Sequence, residues 1–361
     1  MNSHREVVVI GGGQAGLSIG HHLARQGRDF VILEAASEPA AAWRARWDSL
    51  KLFTPARYDG LPGRPFPADP DSYPSRDQVV AYLTDYARDF EQPVELNSAV
   101  RTVRGTEDGY VIELDDRTYV ADKVVVATGP FQTPRVPASL AQELGRDVMQ
   151  LHSSEYRRPE DVPTGCVLVV GGGNSGYQIA EDLAADPARQ VHLCIGSRQT
   201  PLPTRVLGRE LFSILDSTGL MHKPVGSRLG KRLRNRDTLI GSSRRAAMRQ
   251  GIQVHTRARS ADGAEVTFDD GASLSVNAVI WATGFDTDHS WIDAPVFNAG
   301  GGVLHERGVT AAHGLYFLGL PWLHTRGSAL LGWVKNDAAH LAEQIAIDPA
   351  PVHIARKAAH A

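Results

Sequence analysis

VVIGGGQAG occupies residues 8–16 and LVVGGGNSG occupies residues 168–176. Each stretch is a run of β-branched residues followed by the spacing G-x-G-x-x-G and then by apolar residues at helical intervals. In this arrangement the first glycine permits a tight strand-to-helix turn, the second lets the backbone approach a pyrophosphate, and the third permits close helix packing. The unpaired N–H groups of the helix N-terminus then face the phosphates. The chain therefore carries two candidate dinucleotide sites.

The repetition continues beyond the glycine loops. Residues 113–130, ELDDRTYVADKVVVATGP, are echoed by residues 267–285, TFDDGASLSVNAVIWATGF. Each copy predicts a hairpin strand, a turn at the paired aspartates and a buried strand that ends in Ala-Thr-Gly. An internal repeat at this scale indicates two similar units. We therefore predict an α/β fold with two Rossmann-like dinucleotide-binding domains, the second inserted into the first.

The ends of the two second strands indicate different nucleotides. Glu34 lies 18 residues after Gly16, where a carboxylate can accept hydrogen bonds from ribose hydroxyls. The second copy, VHLCIGSRQ, offers Ser197 and Arg198 and no acid. A carboxylate would repel a 2′-phosphate, whereas a hydroxyl and a guanidinium would bind it, although an arginine can also stack on an adenine. We expect FAD at the first loop and NADPH at the second, with NADH as the alternative.

The order of the motifs fits an insertion. Residues 1–160 and 286–361 are predicted to form the FAD-binding domain, and residues 161–285 the NAD(P)-binding domain. LYFLGL at residues 315–320 and the helix-like SALLGWVKNDAAHLAEQI at residues 328–345 would complete the first domain. The N-terminus of that helix is expected to face the flavin ring, where its dipole would favour charge on the reduced flavin.

Composition limits the partners. The 361 residues are 42% apolar and 22% charged, with a net charge of −3, so no global positive field exists to hold a nucleic acid. No apolar run approaches the roughly 18 residues of a membrane span, and the first predicted strand starts too close to Met1 to leave room for a signal peptide. The two cysteines, Cys166 and Cys194, form no C-x-x-C and are expected to be reduced core residues. We expect a cytoplasmic protein without stable membrane insertion, metal site or nucleic-acid partner.

Further motifs resemble the flavin-containing monooxygenases that have two dinucleotide-binding domains, specifically their short bacterial members. Besides the glycine loops, the resemblance rests on WDSLKLFTP (47–55), LHSSEYRRP (151–159), ATGF (282–285) and GLPWLHTRGSALLG (319–332). It covers essentially the whole chain. The chain departs from the family in the linker, where Arg146 and Val148 stand at the positions of a phenylalanine and a glycine before His152.

The resemblance implies a mechanism. NADPH would reduce FAD, and oxygen would add to the reduced flavin to form a C4a-(hydro)peroxyflavin that oxygenates a small organic sulfide, amine or ketone. The implied partners are a small-molecule substrate and molecular oxygen, and a homodimer is one implied assembly. Two alternatives stay open: an NAD(P)H oxidase or reductase that passes electrons to oxygen, a quinone or a partner protein, and a non-catalytic nucleotide-binding sensor.

Three residues are catalytic candidates. Thr54 could donate a hydrogen bond to flavin N5 or to the peroxide, or could be a turn residue before a proline. His152 could bond across the domain junction or to NADP, or could be an ordinary loop histidine. Arg326 could stabilise NADP⁺ or a flavin peroxyanion, or could be a surface cation. The predicted cofactor contacts are Gly11, Gly13, Gln14, Ala15, Gly16, Glu34, Trp43, Leu52, Val100, Ala127, Thr128, Gly129, Gly171, Gly173, Asn174, Ser175, Gly176, Ser197, Arg198, Ala282, Thr283, Gly284, Ala329 and Leu330.

Residues 223–249 form a basic segment, with nine Lys or Arg and one acid, Asp237. One interpretation is a solvated, mobile excursion of the second domain. The other is an extension of the 2′-phosphate site or a lid over a site for an anionic substrate. The cations that would serve the phosphate site are Arg205, Lys231, Arg232 and Arg234, and the apolar residues that could line a pocket are Leu211, Phe212, Leu215, Leu220 and Met221.

Overall fold

The computed structural model describes residues 2–197, 199–234 and 238–348. The chain forms one sheet, leaves it to form a second sheet, and then returns to the first. The prediction of an α/β fold with two Rossmann-like units is confirmed.

The first stretch builds most of the first sheet. Its helices are α1 (Gln14–Arg25), α2 (Ala41–Arg44) and α3 (Arg76–Asp89), with a 3₁₀ turn at Ala56–Tyr58. Its strands are β1 (Asn2–Ile10), β2 (Phe30–Leu33), β3 (Val94–Glu95), β4 (Val100–Thr106), β5 (Gly109–Leu114), β6 (Thr118–Val126) and β7 (Thr133–Pro134).

The second stretch builds the second sheet. Its helices are α4 (Ala138–Glu143), α5 (Asn174–Leu183), α6 (Leu211–Ser217), α7 (Arg228–Arg234) and α8 (Arg244–Arg249), with 3₁₀ turns at Pro159–Asp161 and Leu220–His222. Its strands are β8 (Met149–His152), β9 (Gly165–Val170), β10 (Arg189–Cys194), β11 (Thr200–Leu202), β12 (Arg205–Val206), β13 (Arg209–Glu210), β14 (Thr238–Ile240), β15 (Gln253–His255), β16 (Ala258–Asp262), β17 (Glu265–Phe268), β18 (Ser273–Ser275) and β19 (Ala278–Trp281).

The third stretch returns to the first sheet and ends in a helix. It contains β20 (Phe285–Asp286), β21 (Ile292–Asp293), β22 (His305–Glu306), β23 (Val309–Thr310), β24 (Leu315–Phe317) and α9 (Val334–Ile347). The prediction of a helix from residue 328 is wrong in its start, because residues 328–333 form turns. A Cβ on Gly327, just before these turns, would lie 2.7 Å from the Trp333 Cβ, and a Cβ on Gly332, within them, would lie 1.8 Å from the Tyr58 carbonyl oxygen.

The first sheet is parallel at its centre. β1 pairs in parallel with β2 on one side and with β6 on the other. The long strand β6 pairs along its first half with the antiparallel β5 and along its second half with the parallel β24. The buried residues of this unit are predominantly valine, isoleucine and leucine, as expected of parallel strands that are covered on both faces.

The second sheet has five parallel strands in the order β15-β10-β9-β19-β8. β8, at Met149–His152, pairs with β19 and therefore belongs to this sheet, although the boundary drawn at residue 160 from the sequence puts it with the first. Cys166 lies near the start of β9 and is half-buried, whereas the buried Cys194 is the last residue of β10. The two thiols thus lie towards opposite ends of neighbouring strands.

Two chain crossings connect the sheets and lie side by side. β7 in the outgoing crossing pairs antiparallel with β20 in the returning one. Arg135 adds hydrogen bonds from its guanidinium to the carbonyl of Thr283, at 2.7 and 3.0 Å. The crossings therefore form a short two-stranded connection between the two units.

The excursion, defined as residues 199–234 and 238–242, packs against the first unit. Phe212 and Met221 are fully buried, and Phe212 lies 5.6 Å from Trp333, measured between ring centres. Trp333 also stacks on Tyr58 at 5.1 Å. The excursion is therefore anchored by a buried aromatic cluster, to which it contributes residues that precede the basic segment 223–249. Within the described residues no helix is long and apolar enough to cross a bilayer.

Trp333→Ala is expected to release the excursion. Truncating a buried aromatic side chain costs about 3–5 kcal/mol, so the free energy of unfolding should fall by that amount and trypsin should cut faster at Arg205 and Arg209. Both quantities can be measured by urea denaturation and limited proteolysis. Leu207→Ala is the matched control, because this side chain in the same segment is 99% exposed. Equal effects of the two substitutions would contradict the anchoring role of Trp333.

Candidate functional site

The first glycine loop connects β1 to α1. The backbone N–H of Gly11 donates to the Leu33 carbonyl at 2.8 Å, which ties the loop to the end of β2. A Cβ on Gly16 would lie 1.9 Å from the Gly11 carbonyl oxygen, so the first turn of α1 sits directly against the loop. A Cβ on Gly13 would meet no atom within 4 Å. Gly16 is therefore needed for packing, whereas Gly13 leaves space in front of the helix N-terminus.

A cavity of about 390 Å³ opens at this loop. It runs from the end of β2, past the loop, to the start of β4 and the end of β6. Its lining includes these predicted cofactor contacts: Gly11, Gly13, Gln14, Ala15, Glu34, Trp43, Val100, Ala127, Thr128 and Gly129. Gly16 and Leu52 are not in the lining; Gly16 packs behind the loop, and the half-buried Leu52 packs against both hydrophobic cores.

Glu34 is held at one end of the cavity. Its Oε2 accepts a hydrogen bond from the Gly12 N–H at 2.8 Å, and its Oε1 accepts one from the Ala36 N–H at 3.0 Å. Each oxygen retains a lone pair for a further donor. A carboxylate fixed in this way at the end of the second strand can accept hydrogen bonds from the hydroxyls of a ribose.

Trp43 and Gln14 lie together in the cavity wall. The indole Nε1 of Trp43 donates to the Gln14 Oε1 at 3.0 Å. This bond connects α2 to the first turn of α1. Both residues are predicted cofactor contacts. Arg46, Phe131 and Trp291 also line the cavity and are not among the predicted contacts. These residues are distant in the sequence and come together only in the fold, so no local motif predicts them as a group.

The second glycine loop repeats the first. A Cβ on Gly176 would lie 1.9 Å from the Gly171 carbonyl oxygen, and a Cβ on Gly173 would again meet nothing within 4 Å. Asn174 holds the loop to the excursion, because its Nδ2 donates to the Ile240 carbonyl at 2.8 Å and its Oδ1 accepts from the Ile240 N–H at 3.3 Å. The second helix N-terminus is thus open at the same position as the first.

The two Ala-Thr-Gly segments contact the two loops. A Cβ on Gly11 would lie 2.7 Å from the Ala127 carbonyl oxygen, and one on Gly171 would lie 2.1 Å from that of Ala282. The backbone N–H of Ala282 donates to the Val170 carbonyl at 2.8 Å. The segments Ala127–Thr128–Gly129 and Ala282–Thr283–Gly284 therefore lie at equivalent places beside their loops, which accounts physically for the sequence repeat.

The structure describes part of the segment that follows β10. Arg198 lies outside the described residues, and Ser197 and Ser175 are within them. Arg257, which the sequence analysis did not name, donates from its Nη2 to the Gly196 carbonyl at 2.6 Å. The Arg257 guanidinium thus lies at this strand end. No acidic residue follows β10 before the excursion.

The three catalytic candidates have three different partners. His152 is buried, its Nε2 is 3.0 Å from the Gly284 carbonyl oxygen and its Nδ1 is 2.8 Å from the Ser154 Oγ. Burial lowers the pKa of His152, which favours the neutral ring. Arg326 is 3.5 Å from the Thr238 Oγ1, at the limit of hydrogen bonding, and burial lowers its pKa. None of the three lines the 390 Å³ cavity.

Thr54 donates its hydroxyl proton to Asp59. The Oγ1–Oδ1 distance is 2.7 Å, and both residues are buried. The other carboxylate oxygen of Asp59 has no hydrogen-bond partner among the described residues. Burial raises the pKa of Asp59 to about 7, against which the hydrogen bond from Thr54 and the charge of Lys335 act. Asp59 is thus a buried carboxyl group that changes charge near neutral pH, which the sequence analysis did not identify.

The residues before α9 approach the same region. Ala329 and Leu330 lie in the turns that precede the helix, and Leu330 packs against the aromatic cluster of Trp333. Lys335, in the first turn of α9, donates to the Gly60 carbonyl at 3.1 Å. Among the described residues no group of His, Cys, Asp or Glu side chains is arranged to hold a metal ion.

Comparison with known proteins gives consistent matches. Residues 8–203 match the family described as pyridine nucleotide-disulphide oxidoreductase. The uncharacterized oxidoreductase CzcO-like of Geobacillus kaustophilus is 41% identical, over 94% of this chain and 98% of its own length. The probable indole-3-pyruvate monooxygenase YUCCA9 of Arabidopsis thaliana is 28% identical, over 80% of this chain and 77% of its own length. The solved structure of a flavin-containing monooxygenase from Stenotrophomonas maltophilia has a TM-score of 0.79 at 28% identity, covering 95% of this chain and 98% of that one.

Asp59→Asn is expected to change the pH dependence of stability. Because the folded protein keeps the Asp59 proton up to a pKa of about 7 and the unfolded chain releases it near the ordinary pKa of 3.8, wild-type stability should fall as pH rises between these values. The loss is at most about 4 kcal/mol at 1.36 kcal/mol per pKa unit. Denaturant unfolding at pH 5 to 8 should therefore show a gain for Asp59→Asn that grows with pH. Asp108→Asn, on an exposed turn, should leave the profile unchanged; parallel profiles for wild type and Asp59→Asn would contradict the assignment.

Proposed function

Since the chain belongs to the pyridine nucleotide-disulphide oxidoreductase family and, within it, to the flavin-containing monooxygenases, we propose that this oxidoreductase is an FAD-dependent, NADPH-consuming monooxygenase. The family resemblance drawn from the motifs is confirmed. The observation that supports the proposal most directly is the pair of open helix N-termini at Gly13 and Gly173, each beside its own Ala-Thr-Gly segment. Two such sites suit one flavin and one nicotinamide.

The residues of the first cavity fit FAD. The space in front of Gly13 lets a pyrophosphate approach the first-turn N–H groups of α1, and Glu34 is placed for a ribose. When bound, FAD supplies the redox chemistry, in which it accepts hydride from the nicotinamide and activates oxygen. The chain's part is to hold the two cofactors and to exclude water from the reaction.

The second loop is proposed to bind NADPH. Ser197 and the cation of Arg257 lie where β10 ends, and no carboxylate follows to repel a 2′-phosphate. Arg198 is retained as a proposed contact from the sequence. We further propose that the first unit comprises residues 1–160 and 286–361 and that the second comprises residues 161–285. β8 is the exception to these ranges, because it pairs with β19 and belongs to the second unit.

The catalytic roles remain proposals. His152 is proposed to be a positioning residue, since its ring bonds to Gly284 in the segment that enters the returning crossing. Thr54 is proposed as a hydrogen-bond donor whose availability depends on whether Asp59 is ionised. Arg326 is proposed to act on an anionic group of a bound cofactor, because it is partly desolvated and its bond to Thr238 is long.

The proposed substrate is a small organic sulfide, amine or ketone. Relatives named as indole-3-pyruvate monooxygenases and the structure named as a flavin-containing monooxygenase support oxygen transfer over electron transfer alone. Disulphide reduction, which the family description also contains, is disfavoured because Cys166 and Cys194 lie towards opposite strand ends. An oxidase or reductase that releases its electrons to oxygen, a quinone or a protein is the second candidate.

Rapid-mixing spectroscopy separates these candidates. The protein is reduced by NADPH without air and mixed with oxygenated buffer while the flavin spectrum is followed. A transient spectrum distinct from those of oxidised and reduced flavin, longer-lived with NADP⁺ present, is the expected result. Direct return to oxidised flavin with matching release of hydrogen peroxide would contradict the monooxygenase proposal and favour an oxidase. Bound cofactors without NADPH turnover would favour a sensor.

Gly13→Ala and Gly173→Ala form a matched pair. Both glycines have extended backbone, with φ −78° in each, so alanine fits the chain without strain. The added methyl group lies where a pyrophosphate approaches, and a lost set of charge-assisted hydrogen bonds weakens binding by about tenfold or more. Gly13→Ala should lower FAD affinity, whereas Gly173→Ala should retain FAD and raise the NADPH concentration needed for flavin reduction. Equal behaviour of the two variants would contradict the assignment of one cofactor to each loop.

A further inference from the structure

Arg46 is a cation without a counterion at the edge of the first cavity. Its guanidinium carbon lies 4.7 Å from the ring centre of Phe131 and 5.2 Å from that of Phe285. Within the part of the chain that the structure describes, its guanidinium makes no hydrogen bond and no ion pair. Arg44, two residues earlier, contrasts with it: the Arg44 Nε is 3.3 Å from Glu38 and donates to the Pro39 carbonyl at 3.1 Å.

The surroundings of Arg46 leave its charge uncompensated. Burial lowers its pKa, and the nearby Arg157 lowers it further, which are the effects of an unpaired, desolvated cation. An arginine nevertheless stays protonated in a protein. The two aromatic faces attract the cation but accept none of its five N–H groups in the way that an oxygen would. Within the described residues, the groups around Arg46 therefore attract its charge but do not neutralise it.

The cavity supplies the place for that anion. Arg46 shares the lining with Gly11, Gly13 and Gln14 of the first glycine loop. A guanidinium binds phosphate oxygens through two parallel N–H donors. We propose that Arg46 binds a pyrophosphate oxygen of a dinucleotide in this cavity, so that the ligand becomes the missing counterion. This inference rests on the proposed function. It assigns the contact to FAD, because Arg46 and the first glycine loop line the same cavity.

Arg46 also contacts the two chain crossings through the rings of Phe131 and Phe285. Phe131 lies just before β7 and Phe285 is the first residue of β20, the two strands that join the units. Phe285 packs at 4.8 Å against the ring of His152, which belongs to the second sheet. A ligand that fixes Arg46 thus fixes a side chain that touches both crossings. Arg46 is a binding residue for the cofactor and a positioning residue for the second unit.

The experiment compares ligand affinity in Arg46→Met, Arg46→Lys and the control Arg44→Met. Deflavinated protein is titrated with FAD, and FAD-loaded protein with NADP⁺, each at low and high salt. The loss of a charge-assisted contact should raise the FAD dissociation constant of Arg46→Met by about 10- to 100-fold and flatten its dependence on salt. Arg46→Lys keeps the charge but not the paired donors, so it should lie between. Arg44→Met should stay close to wild type.

Inorganic pyrophosphate provides a second readout that does not depend on the flavin ring. It should compete with FAD for wild-type protein and lose this ability in Arg46→Met. A changed affinity for NADP⁺ with unchanged affinity for FAD would contradict the inference, because the first cavity is the proposed FAD site. Unchanged affinity for both nucleotides in Arg46→Met and Arg46→Lys would overturn the inference.

The outcome for wild-type protein separates this inference from the proposed function. If wild type binds both cofactors and the Arg46 variants behave like it, only the Arg46 contact is wrong. If wild type binds no FAD, the proposed function itself is wrong. If Arg46→Met fails to fold, the inference is tested with Arg46→Lys and with the pyrophosphate competition. An Arg46→Lys variant with wild-type affinity and salt dependence would contradict paired phosphate binding.

Discussion

A helix can begin directly above the end of a parallel strand only if the connecting loop has no side chain in the way. In both units the glycine of the turn lies against the carbonyl at the end of the neighbouring strand, with a hypothetical Cβ 2.7 Å from the Ala127 oxygen and 2.1 Å from the Ala282 oxygen. The third glycine lies equally close to the first. These contacts set the helix against the sheet and leave its N-terminal N–H groups facing open space at Gly13 and Gly173.

The same constraint explains which features were readable from the sequence. The glycine spacing, the Ala-Thr-Gly endings and the acid at Glu34 are local patterns whose geometry follows from the strand that precedes them, and the fold class follows from their repetition. The pairing of β8 with β19 and the late start of α9 were not readable, because sheet membership and the tight contact at Gly332 depend on segments distant in the chain. Arg46 and Asp59 were missed for the same reason, because the burial of Asp59 and the absence of a protein counterion at Arg46 among the described residues are properties of the folded surroundings.

The chain crossings and the excursion both connect the two units. The paired crossings β7 and β20 join the sheets covalently, and the excursion joins them again through Phe212, Trp333 and Tyr58. Both connections end near residues that the sequence did not identify as functional, Arg46 at the crossings and Asp59 beside the Tyr58 turn. In the proposed enzyme, cofactor binding in the first unit and the placement of the second unit would therefore depend on the same side chains.

The central claim is that each unit holds a different dinucleotide. Native mass spectrometry of the intact chain with FAD and NADP⁺ tests it most directly, because noncovalent complexes are counted by mass. The account predicts one FAD and one NADP⁺ per chain, with the flavin retained when NADP⁺ is removed. Two molecules of the same dinucleotide on one chain, or a chain that carries NADP⁺ and refuses FAD, would contradict it.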